Sequence, residues 1–173
     1  MVNVKNHIRL NWIQQSNISL SRGFTLLEML VVFTIMGILT ATGMASFFSY
    51  SQNQAYNSAV SNVEAMLQLA RSRALSQVKP VDCGTEAVRS YQVAFIPSGA
   101  TYELRVTCGT ATQHVLQTSV LPDTVLFDAT TTPVISFGAG TAAATPAPGT
   151  VVITGYDKTK TITVNSAGII AVQ

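Results

Sequence analysis

One acidic residue interrupts a long apolar stretch near the N-terminus. Between Phe24 and Phe48 the only ionisable side chain is Glu28, and the stretch begins directly after Gly23. A carboxylate in a membrane-length apolar segment costs roughly 3 kcal/mol on insertion scales, and pairing with a positive group offsets that cost. Cleavage after Gly23 would create such a group, because the new α-amine of Phe24 lies four residues from Glu28. The spacing favours cleavage followed by ammonium–carboxylate pairing, within one chain or between subunits.

The apolar stretch itself is long enough to cross a membrane. As a helix, residues 24–48 span roughly 37 Å, against a hydrocarbon core of about 30 Å. Three basic residues and no acid precede it, so the N-terminus is predicted to stay in the cytoplasm while the rest is exported. In an ordinary signal peptide cleavage follows the apolar region. Here the natural break comes before it, so the helix would remain on the mature protein.

The stretch "RGFTLLEMLVVFTIMGILTA" resembles the class III signal of type IV pilins and type II secretion pseudopilins. The resemblance implies that prepilin peptidase cuts after Gly23, that Phe24 becomes the N-methylated first residue, and that Glu28 is the glutamate used in assembly. Residues 1–23 would then be a cleaved leader. The resemblance also implies a single-pass inner-membrane protein with a periplasmic head. Its implied partners are prepilin peptidase, other pilins or pseudopilins, an inner-membrane assembly platform and membrane lipid.

Beyond the apolar stretch the helix is predicted to continue to Val78, before Pro80 ends it. Its second part, residues 49–79, is amphipathic, because apolar residues recur at spacings of three and four. These residues are Tyr56, Val60, Val63, Met66, Leu67, Ala70 and Ala74. That face is predicted to pack on the rest of the protein, with Arg71 and Arg73 facing solvent or pairing with carboxylates.

Residues 80–173 are predicted to form a β-rich head. Short segments rich in Val, Ile, Thr and Tyr are separated by turn signals. The predicted strands cover residues 91–96, 101–108, 114–121, 125–128, 134–138, 150–156, 160–165 and 168–172. Residues 138–150, "GAGTAAATPAPGT", are predicted to be a flexible loop. The predicted fold class is α+β, with a long N-terminal helix, half transmembrane and half amphipathic, packed on a small antiparallel β-rich head.

Two further stretches narrow the resemblance. "MLQLARSRALSQVKPVDC" is similar to the helix end of the GspH/FimT group of pseudopilins, and residues 134–172 are similar to that group's closing strands. Some FimT-like proteins bind DNA through arginines in a Gly-Arg-x-Arg arrangement near the C-terminus. Here Gly168 is present, but isoleucine and alanine stand at the arginine positions. Lys158 and Lys160 are weak candidates for DNA contact, and a solvated turn is the favoured interpretation.

The two cysteines, Cys83 and Cys108, both lie in the exported part, where disulfides persist. A disulfide between them is favoured over a metal site. The metal alternative has only His114 as an exported histidine to add to two thiols, which is a poor ligand set. His114 is instead interpreted as a strand surface residue.

No pattern typical of an enzyme is present in the sequence. It has no Gly-x-Ser-x-Gly elbow, no His-Glu-x-x-His, no phosphate-binding glycine loop and no Cys-x-x-Cys. From Phe24 onward seven basic side chains face eight acidic ones, so the body is near neutral and offers little electrostatic attraction for nucleic acid. No cofactor, metal or catalytic residue is predicted. The predicted function is that of a structural minor subunit of a pilus or pseudopilus; the alternative is an exported DNA- or ligand-binding minor pilin acting in DNA uptake.

Overall fold

The computed structural model describes residues 23–110 and 112–173, without the side chains of residues 42 and 45. The predicted leader, up to residue 22, lies outside the described residues. The first element is the helix α1 (Leu26–Ser76), which is followed by a short 3-10 turn, Val81–Cys83. The described strands are β1 (Val88–Phe95), β2 (Thr101–Cys108), β3 (Thr112–Val120), β4 (Leu126–Phe127), β5 (Val134–Gly138), β6 (Ala144–Thr145), β7 (Gly149–Gly155), β8 (Lys158–Val164) and β9 (Ile170–Val172).

The chain divides after Gly43 into two compact units, and the second, Met44–Gln173, contains all of these strands. Within it, the strands form a five-stranded sheet in the order β3-β2-β1-β5-β6 and a four-stranded sheet in the order β4-β7-β8-β9. Every pairing is antiparallel, as predicted. We call this second unit the head unit.

The amphipathic half of α1 packs on the sheets through the predicted face. All seven predicted apolar residues are at most 5% exposed, and Ala59, which the prediction omitted, is 1% exposed. They join the buried strand residues in one hydrophobic core. Burial of a side chain such as Leu67 contributes roughly 1.5–3 kcal/mol, so this face holds the helix on the head far more strongly than helix propensity could.

The helix ends two residues earlier than predicted. Its last residue is Ser76, and Gln77 takes a left-handed conformation with φ of 49°. The amide of Val78 then donates to the carbonyl of Arg73 at 3.3 Å, which is the closing bond of a Schellman motif. The helix therefore stops at a left-handed residue before Pro80, rather than at the proline itself.

Three aromatic rings link the two sheets. Phe95 and Tyr102 lie on neighbouring strands of the five-stranded sheet, whereas Phe127 belongs to the four-stranded sheet. The Phe127 ring packs edge-on against both, with centroid distances of 5.1 Å to Phe95 and 5.8 Å to Tyr102. Edge-to-face pairs of this kind contribute about 0.5–1.5 kcal/mol beyond their buried area. The trio therefore fixes one sheet against the other.

The prediction of a flexible loop over residues 138–150 is wrong. The short strand β6 pairs with β5 there, and Ala142 and Ala144 are buried at 1% and 6% exposure. The amide of Gly140 donates to the carbonyl of Ala74 at 2.8 Å, so the segment also satisfies a group at the end of α1. Composition suggested a loop because the side chains are small, but small side chains are what fit where the backbone packs this closely.

The hydroxyl of Tyr56 anchors the helix to the second sheet. It donates to the carbonyl of Ile153 at 2.9 Å, and the tyrosine is 1% exposed. Burial raises the pKa of the Tyr56 phenol, although hydrogen bonding to the backbone opposes the rise.

Tyr56→Phe is expected to lower the free energy of unfolding of the head by about 1 kcal/mol, because the buried hydrogen bond from the phenol to the Ile153 carbonyl is lost. Thermal unfolding of the detergent-solubilised chain, followed by circular dichroism, measures the loss. Tyr50→Phe is the matched control, since Tyr50 lies on the same helix but is 67% exposed. Equal melting temperatures for the two variants would contradict the anchoring role.

Candidate assembly site

The start of α1 is fixed by Thr25. Its side-chain oxygen accepts a hydrogen bond from the amide of Glu28 at 3.2 Å, and its carbonyl accepts from the amide of Met29. Thr25 is thus an N-cap residue that satisfies a donor the helix itself leaves unpaired. Thr25 and Glu28 have the spacing of a capping box, of which the described bonds form the threonine half.

Glu28 is exposed in the first turn of α1. A carboxylate at this position interacts favourably with the positive end of the helix dipole. With the residues that the structure describes, the Glu28 carboxylate makes neither a hydrogen bond nor an ion pair, and the charge is open to a partner outside the chain. Gly23 and Phe24 precede the helix, and Phe24 is 73% exposed. The three residues predicted to act in cleavage, methylation and assembly are therefore within one accessible segment.

Large apolar side chains cover the outside of the first half of α1. The helix contains an 18-residue window of mean hydropathy 1.9, none of it buried, and is long and apolar enough to cross a membrane. Besides Phe24 just before the helix, the exposed apolar residues of this half are Leu26, Leu27, Met29, Leu30, Val31, Val32, Phe33, Ile35, Met36, Ile38, Leu39, Met44, Phe47 and Phe48. Such a surface is not stable in water, and it indicates burial in lipid or against other helices.

Two threonines in the apolar half have their hydroxyls satisfied by the helix. Thr34 donates to the carbonyl of Leu30, and Thr40 donates to the carbonyl of Met36 at 2.7 Å. These bonds satisfy two hydroxyl groups that would find no hydrogen-bond partner in lipid. At Gly37 an added Cβ would meet nothing within 4 Å, so the helix has a smooth surface there at which another helix could approach closely.

The predicted disulfide between Cys83 and Cys108 is confirmed. Their Cα atoms are 5.5 Å apart, and both residues are buried. The bridge ties the turn after α1 to the end of β2. No thiol remains for a metal, and within the described ranges no cluster of three metal-ligating side chains occurs. His114 lies half-buried on β3.

Lys158 and Lys160 lie on β8, next to the tight turn of the β7–β8 hairpin. Tyr156 and Asp157 form that turn, with φ of 51° and 58°. Lys158 is exposed opposite Gly155, and Lys160 is half-buried opposite Ile153. The two lysines thus belong to a hairpin end with an acidic neighbour, Asp157, and DNA contact by them stays a prediction.

Arg71 differs from the prediction that it faces solvent or pairs with a carboxylate. It is half-buried, and its Nε atom is the only buried side-chain nitrogen or oxygen in the described residues without a hydrogen-bond partner. It packs under Gly168, whose φ is +72° and at which a Cβ would lie 2.3 Å from the carbonyl oxygen of Ala142. Gly168 is therefore required by packing in this chain, independently of any role in DNA binding.

Comparison with known sequences connects these observations. The pattern described as "Prokaryotic N-terminal methylation motif" matches residues 18–44, which include Gly23, Phe24 and Glu28. The domain described as "Type II transport protein GspH" matches residues 59–168, more than half of the chain. This chain belongs to the GspH family. The family is one of structural, pilin-like proteins and not of enzymes, and the predicted resemblance to the GspH/FimT group is confirmed.

Two relatives of this GspH-family chain are called "Fimbrial protein", both from Pseudomonas aeruginosa. Each is 32% identical over 77 residues, which is 44% of this chain and 50% of the relative. The chain therefore spans about half the length of the curated relatives that it matches. Among solved structures, the type IV minor pilin FimU of Pseudomonas aeruginosa aligns with a TM-score of 0.50 and 20% identity, over 68% of this chain and 91% of FimU. This likeness confirms the predicted fold class.

Sequence reasoning missed the capping role of Thr25 and the packing role of Gly168. Thr25 stands three residues before Glu28, and a Ser/Thr-x-x-Glu pattern ahead of an apolar run is a known helix-start signal. That signal could have predicted the cap. No local signal points to the contact between Gly168 and Ala142, because it joins segments that only the tertiary structure brings together.

Proposed function

We propose that this protein is a structural minor subunit of a type IV pilus or of a type II secretion pseudopilus. The observation that carries the proposal is the exposed apolar half of α1 with a single accessible carboxylate in its first turn. A helix of this kind has two suitable environments, a lipid bilayer before assembly and the interior of a helical fibre after it. The β-rich head (residues 80–173), with the amphipathic helix packed on it, would remain outside both environments.

Maturation follows from the segment around Gly23. Prepilin peptidase would cut between Gly23 and Phe24 and methylate the new amine of Phe24. The proposed domain organisation is a leader (residues 1–23), an assembly helix (24–48), an amphipathic helix (49–79) and a β-rich head (80–173). The exposure of Phe24 and the start of regular helix at Leu26 support this site, because a peptidase needs an accessible, extended substrate.

The Glu28 carboxylate would pair with the methylated ammonium of Phe24 on the neighbouring subunit. Cleavage leaves the ammonium just before the N-cap, while Glu28 occupies the first turn. In an apolar interior each charge alone carries a large desolvation penalty, and only their pairing offsets it. The pair would therefore set the register at which one helix stops sliding along the next.

Before assembly the protein would lie in the inner membrane, with its N-terminus in the cytoplasm and its head in the periplasm. The three basic residues of the leader support this orientation by the positive-inside rule. The disulfide in the head supports an oxidising compartment. An inner-membrane assembly platform would then move the subunit into the fibre.

Crosslinking in the native host tests the function. A tagged full-length protein is crosslinked in growing cells, and its partners are identified by mass spectrometry. Recovery of pilins with their platform would assign it to a pilus, and recovery of secretion pseudopilins would assign it to a pseudopilus. Recovery of neither, from cells that assemble both fibres, would overturn the proposal.

Replacing Gly23 tests the processing site. Gly23→Val is expected to block cleavage almost completely, because the β-branched side chain crowds the bond that the peptidase must reach. Peptide mass spectrometry should detect an N-terminal methylated Phe24 in the wild type and the intact leader in the variant. Gly37→Ala is the matched control, since it changes a helical glycine with open space around it. Leader removal from Gly23→Val at the wild-type rate would contradict the site.

A further inference from the structure

We infer that strand β3 is a docking edge for an extended strand of a neighbouring pilin-type subunit; the inference rests on the assembly function proposed above. β3 (Thr112–Val120) has nine residues and forms one edge of the five-stranded sheet. The other edges of the two sheets are β6, β4 and β9, with two, two and three residues. Short edge strands protect a protein from unwanted strand pairing. Three edges of the head have this protection and the fourth does not.

The composition of β3 also leaves its edge available for pairing with another strand. Its nine residues, TQHVLQTSV, include no Asp, Glu, Lys, Arg or Pro, the residues that commonly block an exposed edge. Val115 and Val120 are 52% and 67% exposed. A strand that pairs with β3 would therefore meet β-branched and neutral polar side chains. Because a charge buried there would have no partner, the matching strand is uncharged as well.

The backbone of β3 has donors and acceptors directed outward. The amide of Leu121 donates to the carbonyl of Ala100, and the antiparallel register then places Val120 opposite Thr101 and Thr118 opposite Glu103. Hydrogen-bonded and non-hydrogen-bonded pairs alternate along such a ladder. The amides and carbonyls of Thr118 and Val120 consequently point away from β2. Together they offer a second strand four hydrogen bonds.

A register shift between Leu104 and Arg105 marks a bulge in β3 at Leu116. A bulge twists the strand and interrupts regular pairing. The part after it, residues 117–120, is regular, contains the outward groups of Thr118 and Val120, and borders a groove. Docking is therefore confined to this part.

A groove of about 430 Å³ borders the same part of β3, between α1 and the sheet. Its accessible lining is more polar than apolar: Asn62, Gln117 and Ser119 supply hydrogen-bonding groups, and Leu69 and Val120 supply apolar surface. In strand addition the backbone supplies affinity and an adjacent pocket supplies specificity. The matching strand thus carries an uncharged side chain with a hydrogen-bonding group that enters the groove.

The occupant is a strand of another subunit, rather than β3 of a second copy. Pairing of β3 with itself would form a closed, two-fold dimer that uses up the edge on both copies. A fibre requires contacts that differ on the two sides of each subunit, so that the next subunit can be added. The edge of a neighbouring head meets this requirement.

Thr118→Pro tests the docking edge in the full-length protein. Proline removes the outward amide and its ring obstructs the partner, whereas the bonds between β3 and β2 are kept. The variant is expected to enter fibres on the order of tenfold less than the wild type, by immunoblot of sheared fibres against the membrane fraction. Unchanged melting temperature, within a few degrees, shows that the head has folded.

Val172→Pro is the matched control. The reciprocal bonds between Thr161 and Gln173 mean that the Val172 amide points away from β8, so this proline also removes an outward amide at a sheet edge. It lies on the short strand β9 and is expected to leave incorporation unchanged.

A photo-crosslinker placed at residue 120 provides a second measurement that does not depend on the stability of the proline variant. Crosslinks to a strand of another pilin-type subunit are expected in fibres and not in the unassembled membrane pool. Normal incorporation of Thr118→Pro, or crosslinks only to β3 of a second copy, would overturn the docking inference while leaving the assembly function intact. Absence of the wild-type protein from fibres would overturn both.

Discussion

Glu28→Val is expected to leave the protein in the membrane and to reduce its incorporation into fibres by about a hundredfold or more. The substitution keeps the apolar helix, so insertion is unaffected. It would leave the proposed ammonium of the neighbouring Phe24 without a counter-charge in a low-dielectric interior, and breaking such a pair costs about 3–5 kcal/mol. At about 1.4 kcal/mol per factor of ten, the lower figure already corresponds to about two orders of magnitude.

The ratio of fibre to membrane protein in quantitative immunoblots measures this effect. Glu28→Gln is a second variant that keeps size and polarity and removes only the charge; it is expected to behave like Glu28→Val. Glu64→Gln is the matched control, because Glu64 lies on the same helix and its carboxylate only accepts a surface hydrogen bond from Gln68. Fibres containing Glu28→Gln at the wild-type level would refute the pairing.

Loss of the disulfide is the second large effect that we expect. The bridge closes a loop of 25 residues, for which the chain-entropy relation gives about 3 kcal/mol. The double variant Cys83→Ala, Cys108→Ala should therefore melt roughly 10 °C or more below the wild type. Cys108 is fully buried, so replacing it with the smaller alanine adds a modest packing loss.

Thermal unfolding of the oxidised chain in detergent provides the measurement. The reduced wild type is the control for packing, since it keeps both side chains and loses only the covalent link. It should melt close to the double variant. A double variant with the same melting temperature as the oxidised wild type would show that the bridge contributes nothing to the stability of the folded head.

The sequence predicted those parts of the structure that depend on local periodicity. The spacing of Tyr56, Val63 and Leu67 identified the buried helix face, because a period of 3.6 places them in one stripe. The same reasoning located every strand longer than two residues to within three residues at each end. Of the candidate assembly residues, Glu28 was identifiable because a charge in an apolar segment needs a physical explanation.

Local periodicity could not predict which strands pair with each other. The pairing of β1 with β5, and the division of the strands into two sheets, depend on long-range contacts that alternation does not encode. Arg71 was assigned to solvent or an ion pair because helix position gave no information about Gly168, which lies near the other end of the chain. Residues 138–150 were misjudged for the same reason, since their hydrogen bonds reach α1 and β5.

The central position of β1 has a consequence for the order in which the head would fold during the export proposed above. Its neighbour β2 follows within a few residues, but its other neighbour, β5, begins only at Val134. Contacts distant in sequence form slowly, because closing a long loop costs entropy before the pairing compensates for it. The hairpin of β1 and β2, with the cysteines at its base, can therefore form while the last third of the protein is still in transit. Insertion of β5 beside β1 would then complete the sheet as a late step of the proposed export.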